Sequence, residues 1–311
     1  MDAHAVILEA PRQLALRRLN LSECGPSDVI VDIAWSGIST GTEKLLWNGE
    51  MPRFPGMGYP LVPGYESVGR ITDAGPDAQD RIGEWVFVPG ATCYQDARSL
   101  FGGTAERVIV PSSRALLVSE SLGKDGVLFA LAATALHAIS GERPPELIVG
   151  HGTLGRLLAR LTIAIGAPAP TVWDNKPSRR SGGIGYDVIA PKDDDRKDYA
   201  TIYDASGYAD GIDTLIGRLA HGGELVLAGF YANRPSFAFP PAFQKEARMR
   251  IAAEWQPQDL AVTRDLIETG ALDLSDLISH TSPAGDAERA YPTAFHDTDC
   301  LKMVLDWSQA A

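Results

Sequence analysis

Three glycines in the run Leu147-Ile148-Val149-Gly150-His151-Gly152-Thr153-Leu154-Gly155 have the spacing G-x-G-x-x-G directly behind an apolar stretch. That spacing suits a phosphate: Gly150 permits a tight turn, Gly152 lets the backbone approach a pyrophosphate, and Gly155 lets helix and strand pack closely. The free amides of a helix N-terminus then meet the negative charge. Behind the turn come Leu154, Leu157, Leu158, Leu161 and Ile165 at helical spacing, Gly166 as a stop, and a second apolar segment ending in Asp174. Asp174 stands where a carboxylate accepts both ribose hydroxyls, and it would repel a ribose phosphate. The spacing therefore predicts NAD rather than NADP, with Gly150, Gly152, Thr153, Leu154, Gly155 and Asp174 as cofactor-binding residues. Lys176, Arg179 and Arg180 read as a solvated loop on the adenine side, and His151 as facing the pyrophosphate without chemistry.

Such a turn needs a parallel sheet to hold it. From about residue 119 the chain alternates helices with continuous apolar strands at 147–149, 171–173, 201–203 and 224–228, a pattern for strands covered on both faces. Residues 1 to about 115 instead read as short strands broken by turns, at 29–35, 67–71, 84–88 and 106–110. The tail adds a helix over 257–269 and a last strand over 301–305. His137, on an apolar run, reads as a satisfied core residue, Cys93 as an inert thiol, and Asp193 to Asp195 as a solvated loop.

Composition narrows the class. The chain has 311 residues, of which 45% are hydrophobic and 22% charged, which disfavours disorder. A formal charge of −12 lacks the basic footprint of a nucleic-acid binder. The three cysteines exclude a disulfide framework and any CxxC knuckle. No run of about 18 apolar residues occurs, and Met1 is followed by Asp2, Ala3 and His4 without a leader pattern, so a cytoplasmic protein is expected.

Several further stretches carry a resemblance. Trp35-Ser36-Gly37-Ile38-Ser39-Thr40-Gly41-Thr42-Glu43, Pro63-Gly64-Tyr65-Glu66-Ser67-Val68-Gly69, Gly102-Gly103-Thr104-Ala105-Glu106, the glycine turn, Asp204-Ala205-Ser206-Gly207 and His221-Gly222-Gly223 together resemble the medium-chain dehydrogenase/reductase superfamily. The resemblance implies an α/β protein in which a Rossmann doubly wound parallel sheet is inserted in a GroES-like β-rich catalytic domain. The expected limits are 1–118 for the first part, 119–255 for the Rossmann domain and 256–311 for the return. The stretch from Trp35 to Tyr65, Ala253-Glu254-Trp255 and residues 300–307 resemble the branch that oxidises the ring-A hydroxyethyl group of (bacterio)chlorophyllides with NAD. By resemblance, Thr40 and Lys302 contact the pyrophosphate, Thr134 lies beside the nicotinamide, Ala205 and Ser206 line the adenine side, and Gly229 and Phe230 lie at the strand end nearest the nicotinamide.

Zinc members of that superfamily hold their metal at positions that here read Ser39, Tyr65 and Ala130, poor ligands for Zn(II). The resemblance therefore implies a zinc-independent enzyme with no metal site. Without a Lewis acid some side chain must draw off the hydroxyl proton of the alcohol. The expected set is Tyr65 as acceptor with its phenol pKa lowered by Lys44, Ser39 and Thr42 as relays, and Glu66 or Glu43 positioning the others. Trp47, Met51, Phe54, Met57, Tyr59 and Tyr65 concentrate in one segment and suit a planar tetrapyrrole, with Trp47, Phe54, Met57 and Tyr59 as substrate-binding residues. A homodimer is expected, with no nucleic-acid partner and no membrane span, and with transient membrane or pathway-enzyme contact left open. Two alternatives stay open: a zinc-free NADPH quinone or enone reductase, against which Asp174 argues, and a non-catalytic nucleotide-binding protein.

Overall fold

The computed structural model describes residues 1–52 and 56–308, and the chain divides into two units, Met1–Ala130 with Ile278–Ala311, and Leu131–Leu277. In the second unit the apolar segments form six parallel strands. Their order is Val188–Ile189, Thr171–Trp173, Leu147–Val149, Tyr199–Asp204, Leu219–Leu227, Arg248–Ile251. Leu147, Trp173, Tyr199, Ile202, Leu215, Leu219 and Leu225 build its core. The order in which the chain adds strands reverses beside Leu147–Val149, whose parallel neighbour Tyr199–Asp204 pairs Asp204 with Val149. Outside the carboxyl ends of strands at such a switch point, open α/β sheets bind their ligands.

In the first unit Asp28–Ile38 is the hub. It pairs with Ser67–Ala74, with Arg107–Pro111 and, antiparallel, with the returning strand Met303–Asp306. The register Met303 to Ile38 brings Lys302 to the end of the hub strand. A second sheet orders Gln13–Asn20, Asp2–Ala10, Leu61–Val62 and Arg98–Ser99. The hairpin of Asp2–Ala10 and Gln13–Asn20 was not expected from the sequence, because Ala5, Val6, Ile7 and Leu8 are all buried and their strand shows no alternation.

Two boundaries differ from those expected. Residues 119–130 stay with the first unit, since the 3-10 segment Glu120–Leu128 packs Gly126 against Val68 and Phe129 stacks on Phe87 at 5.8 Å. Residues 256–277 stay with the second unit. There Asp259, on the helix Pro257–Glu268, accepts from His137 at 2.8 Å, while Arg160 donates to the carbonyls of Asp273 and Ser275, each at 2.8 Å. His137 is thus satisfied, as expected. Asp194 corrects the reading of a solvated loop: it is buried and accepts from Trp173 Nε1 and the Tyr199 hydroxyl, each at 2.7 Å. The segment Glu120–Ile139 is long and apolar enough to cross a membrane, but 61% of its apolar window is buried and Val127, Leu128 and Phe129 are wholly so, as in a core element.

Candidate active site

Pairing of the two central strands of the first unit places the candidate proton-handling residues. Gly37 N donates to the Glu66 carbonyl at 2.7 Å, so the end of Asp28–Ile38 runs beside the entry to Ser67–Ala74. Ser39 and Tyr65 then face each other, with 2.7 Å between Ser39 Oγ and the Tyr65 hydroxyl. Thr42, first residue of the helix Thr42–Asn48, also hydrogen-bonds the phenol. Behind this pair lie two buried carboxyl groups. Glu43 accepts from Ser39 N at 3.0 Å and from the Tyr291 hydroxyl at 2.8 Å. Glu66 forms an ion pair with Lys302, whose Nζ also donates to the Ile38 carbonyl at 3.1 Å. Gly37 leaves room for that pair, since a Cβ there would lie 3.0 Å from Lys302 Cε and overlap the Glu66 carboxyl.

The electrostatics follow from burial. Glu43, Glu66 and Tyr291 are wholly buried, and Lys302 is 2% exposed. Desolvation pushes the Glu43 carboxyl up to about 7, opposed chiefly by the Ser39 amide. Glu66 is also pushed up by burial and held back by the Lys302 charge. Burial, and next the Glu66 charge, push the Tyr65 phenol well up, so it stays protonated at neutral pH. The expectation of a lowered phenol pKa is thereby corrected. So is the role of Lys44, whose Nζ donates to the Phe295 carbonyl at 3.2 Å; the cation inside this cluster is Lys302. Lys302 in turn was expected on the pyrophosphate, yet the structure buries it against Glu66 and the Ile38 carbonyl. Tyr291 was missed: nothing in its local sequence announces a partner 248 residues away.

The second unit brings the glycine turn beside the ends of its neighbouring strands. Gly150 turns with φ +97°, and a Cβ on Gly155 would overlap the Gly150 carbonyl. Gly152 caps the helix Thr153–Ala164 with extended backbone and no side-chain cap. Side chains at Gly150 and Gly229 would meet the Ala205 to Gly207 backbone at 3.2 Å and 2.8 Å, so Ala205, Ser206 and Gly229 sit side by side with the glycine turn. Phe230, 44% exposed, follows Gly229. Asp174 is half-buried and accepts from His151 N at 2.9 Å and Lys176 N at 2.8 Å, which leaves lone pairs on both oxygens. Leu154 and Thr134 are half-buried in the same unit, and Thr40, in the first unit, is exposed. His151 does not face outward: it is wholly buried, which corrects its reading.

The aromatic segment is drawn partly into packing. Met51 joins Leu8, Leu45, Leu46 and Leu61 in a small core, and Trp47, Met57 and Tyr59 lie half-buried against it. The Tyr59 hydroxyl donates to the Leu46 carbonyl, and Trp47 approaches Phe295 at 6.2 Å. Phe54 lies outside the described residues. Phe101, edge-on to Tyr65 at 4.9 Å, was missed because it comes from a distant loop. Among the described residues no three His, Cys, Asp or Glu side chains group as metal ligands do. The donors at the positions that hold zinc in related enzymes do not fit the ion: Ser39 and the protonated Tyr65 phenol bond each other, and Ala130 offers no donor.

Known proteins resemble this chain along its full length. The profile of the alcohol dehydrogenase GroES-like domain matches residues 25–120. The 2-desacetyl-2-hydroxyethyl bacteriochlorophyllide A dehydrogenase of Rhodobacter capsulatus is 56% identical over 313 residues, covering 100% of both chains. Its counterpart in Cereibacter sphaeroides is 57% identical over 318 residues, again covering 100% of both. Among solved structures, a short chain alcohol dehydrogenase of Escherichia coli CFT073 complexed with NADH superposes with a TM-score of 0.82 at 19% identity, covering 98% of this chain and 99% of that one. The last likeness is one of fold.

Proposed function

The chain belongs to the 2-desacetyl-2-hydroxyethyl bacteriochlorophyllide A dehydrogenase family of the medium-chain dehydrogenase/reductase superfamily, and from that premise we propose an NAD-dependent, zinc-independent oxidation of the ring-A hydroxyethyl group of a chlorophyllide-type macrocycle to acetyl, in bacteriochlorophyll biosynthesis. The observation that carries the reaction type is the glycine turn at Gly150 with the Asp174 carboxylate at the neighbouring strand end. Gly150, Gly152, Thr153, Leu154 and Gly155 hold the phosphates and Asp174 the ribose; Ala205, Ser206, Gly229 and Phe230 border the crevice, and Thr40 and Thr134 complete the set. A nicotinamide dinucleotide held by these residues would supply the acceptor for the hydride of the carbinol carbon.

The chain's own residues manage the proton. Because its phenol stays protonated, Tyr65 acts as a relay: its oxygen takes the alcohol proton as its own proton passes to the Thr42 hydroxyl, which releases its proton to solvent water, while Ser39 Oγ holds the phenol in place. Thr42 is half-buried and continues that path towards solvent, whereas Ser39 is 5% exposed. The Glu66 and Lys302 pair keeps a fixed, nearly neutral charge behind the phenol. Lys44 lies outside this chemistry. For the planar substrate, the half-buried faces of Trp47, Met57 and Tyr59 supply an apolar wall, with Phe54 assigned to it from sequence.

A homodimer is supported by the edge strand Arg248–Ile251, where Ile251 is 68% and Met249 40% exposed. A reducing cytoplasm suits the free thiols of Cys24, Cys93 and Cys300. The test mixes purified protein with the hydroxyethyl pigment and NAD. The red-shifted acetyl product is expected; no spectral change from protein that binds NADH would refute the assignment.

A further inference from the structure

The second residue of the glycine turn is unusual in being a histidine tied down at every polar atom. His151 Nδ1 lies 2.6 Å from the Arg179 carbonyl, and Nε2 lies 2.9 Å from the Tyr186 hydroxyl. A carbonyl only accepts, so Nδ1 carries the hydrogen, and Nε2 is left to accept from the phenol. The imidazole is therefore neutral and of one tautomer. Its burial agrees, holding the ring well below the ordinary histidine value, at about 4. Arg156, 7% exposed on the helix behind the turn, adds a second tie: it donates to the Gly182 carbonyl at 3.0 Å, to the Ser181 carbonyl at 2.9 Å and to the His151 carbonyl at 3.3 Å. The first amide of the same loop, Lys176 N, is bound by Asp174.

The basic loop after Asp174 is thus fastened from beneath by the turn itself. Its consequence lies at Gly152, where a Cβ would sit 4.0 Å from Arg179 Nη1. The guanidinium thus lies beside the helix N-cap, at the end where the helix dipole favours an anion. We propose that His151 is a positioning residue for the cofactor: by gripping the Arg179 carbonyl it seats the Arg179 guanidinium over the glycine turn, where the guanidinium meets the pyrophosphate of the dinucleotide. This rests on the reading that the turn binds a nicotinamide dinucleotide. His151 touches no cofactor atom itself.

The variants separate its two bonds. An asparagine places an amide N–H near the position of Nδ1, whereas a glutamine reaches only the position of Nε2. With full-length protein, NADH binding followed by fluorescence and steady-state kinetics should show His151→Leu weakening NADH by about 10-fold, with a matching rise in KM for NAD and kcat within about 2-fold. His151→Asn should recover most of the affinity and His151→Gln should not. Arg179→Gln should reproduce the loss and add nothing to His151→Leu. Unchanged NADH affinity in Arg179→Gln, or equal behaviour of the Asn and Gln variants, overturns the proposal, and these two comparisons decide even where His151→Leu fails to fold. A loss of NADPH affinity alone in Arg179→Gln also overturns it, by assigning the cation to a ribose phosphate. Wild-type protein that binds neither dinucleotide defeats the reading of the turn, and this inference with it.

Discussion

Replacing Lys302 by Met removes one member of a charge pair in which the lysine is 2% exposed and the glutamate wholly buried. Methionine fills a similar volume, so the main effect is a Glu66 carboxylate left without its counter-charge. Removing one partner of such a pair costs about 3–5 kcal/mol, a large share of the roughly 5–15 kcal/mol that holds a domain folded. Glu66 is already pushed up by burial and held back by Lys302, and its Oε1 has no hydrogen-bond partner, so in the variant it takes up a proton. A carboxyl whose folded pKa exceeds its unfolded value loses stability as pH rises towards the folded pKa, and keeps it below the unfolded one. Urea melts at pH 5, 6, 7 and 8 should therefore show a small deficit at pH 5 that grows with pH, by at most about 1.4 kcal/mol per unit. Glu66→Gln in the same chain should restore most of the stability at pH 8. A deficit independent of pH, or a double variant no better than Lys302→Met, would refute the assignment of a buried charge pair.

Tyr65→Phe should lower kcat by roughly 10²–10⁴ if the phenol relays the alcohol proton, while Lys44→Met should change it less than about 2-fold; equal losses in steady-state assays would defeat the relay. Glu43, pushed up to about 7, is stable with its proton and loses stability as pH climbs from its unfolded value through 7, so Glu43→Gln should flatten the melting profile between pH 5 and 8 by roughly 3 kcal/mol. A profile as steep as wild type would place the titration elsewhere. A chelator should leave turnover unchanged and elemental analysis should find zinc well below one per chain; a rate that falls with the chelator and returns with zinc contradicts the donor chemistry of Ser39, Tyr65 and Ala130.

The sequence alone determined whatever depends on neighbours along the chain. Strand, glycine turn, helix and Asp174 follow one another within 28 residues, and turn geometry and helical period are local properties, so these elements were legible before any tertiary contact was known. The main strands of both units were legible for the same reason. What the tertiary structure decided is the pairing of charges. Lys302 meets Glu66 across 236 positions and Tyr291 meets Glu43 across 248, because the returning strand Met303–Asp306 docks on Asp28–Ile38. The family resemblance had placed the cation at Lys44 and had expected it to lower the Tyr65 phenol. Burial reverses that direction, since the free energy of a charged oxygen depends on how much water and which charges surround it in space, and neither is written in the local order of residues.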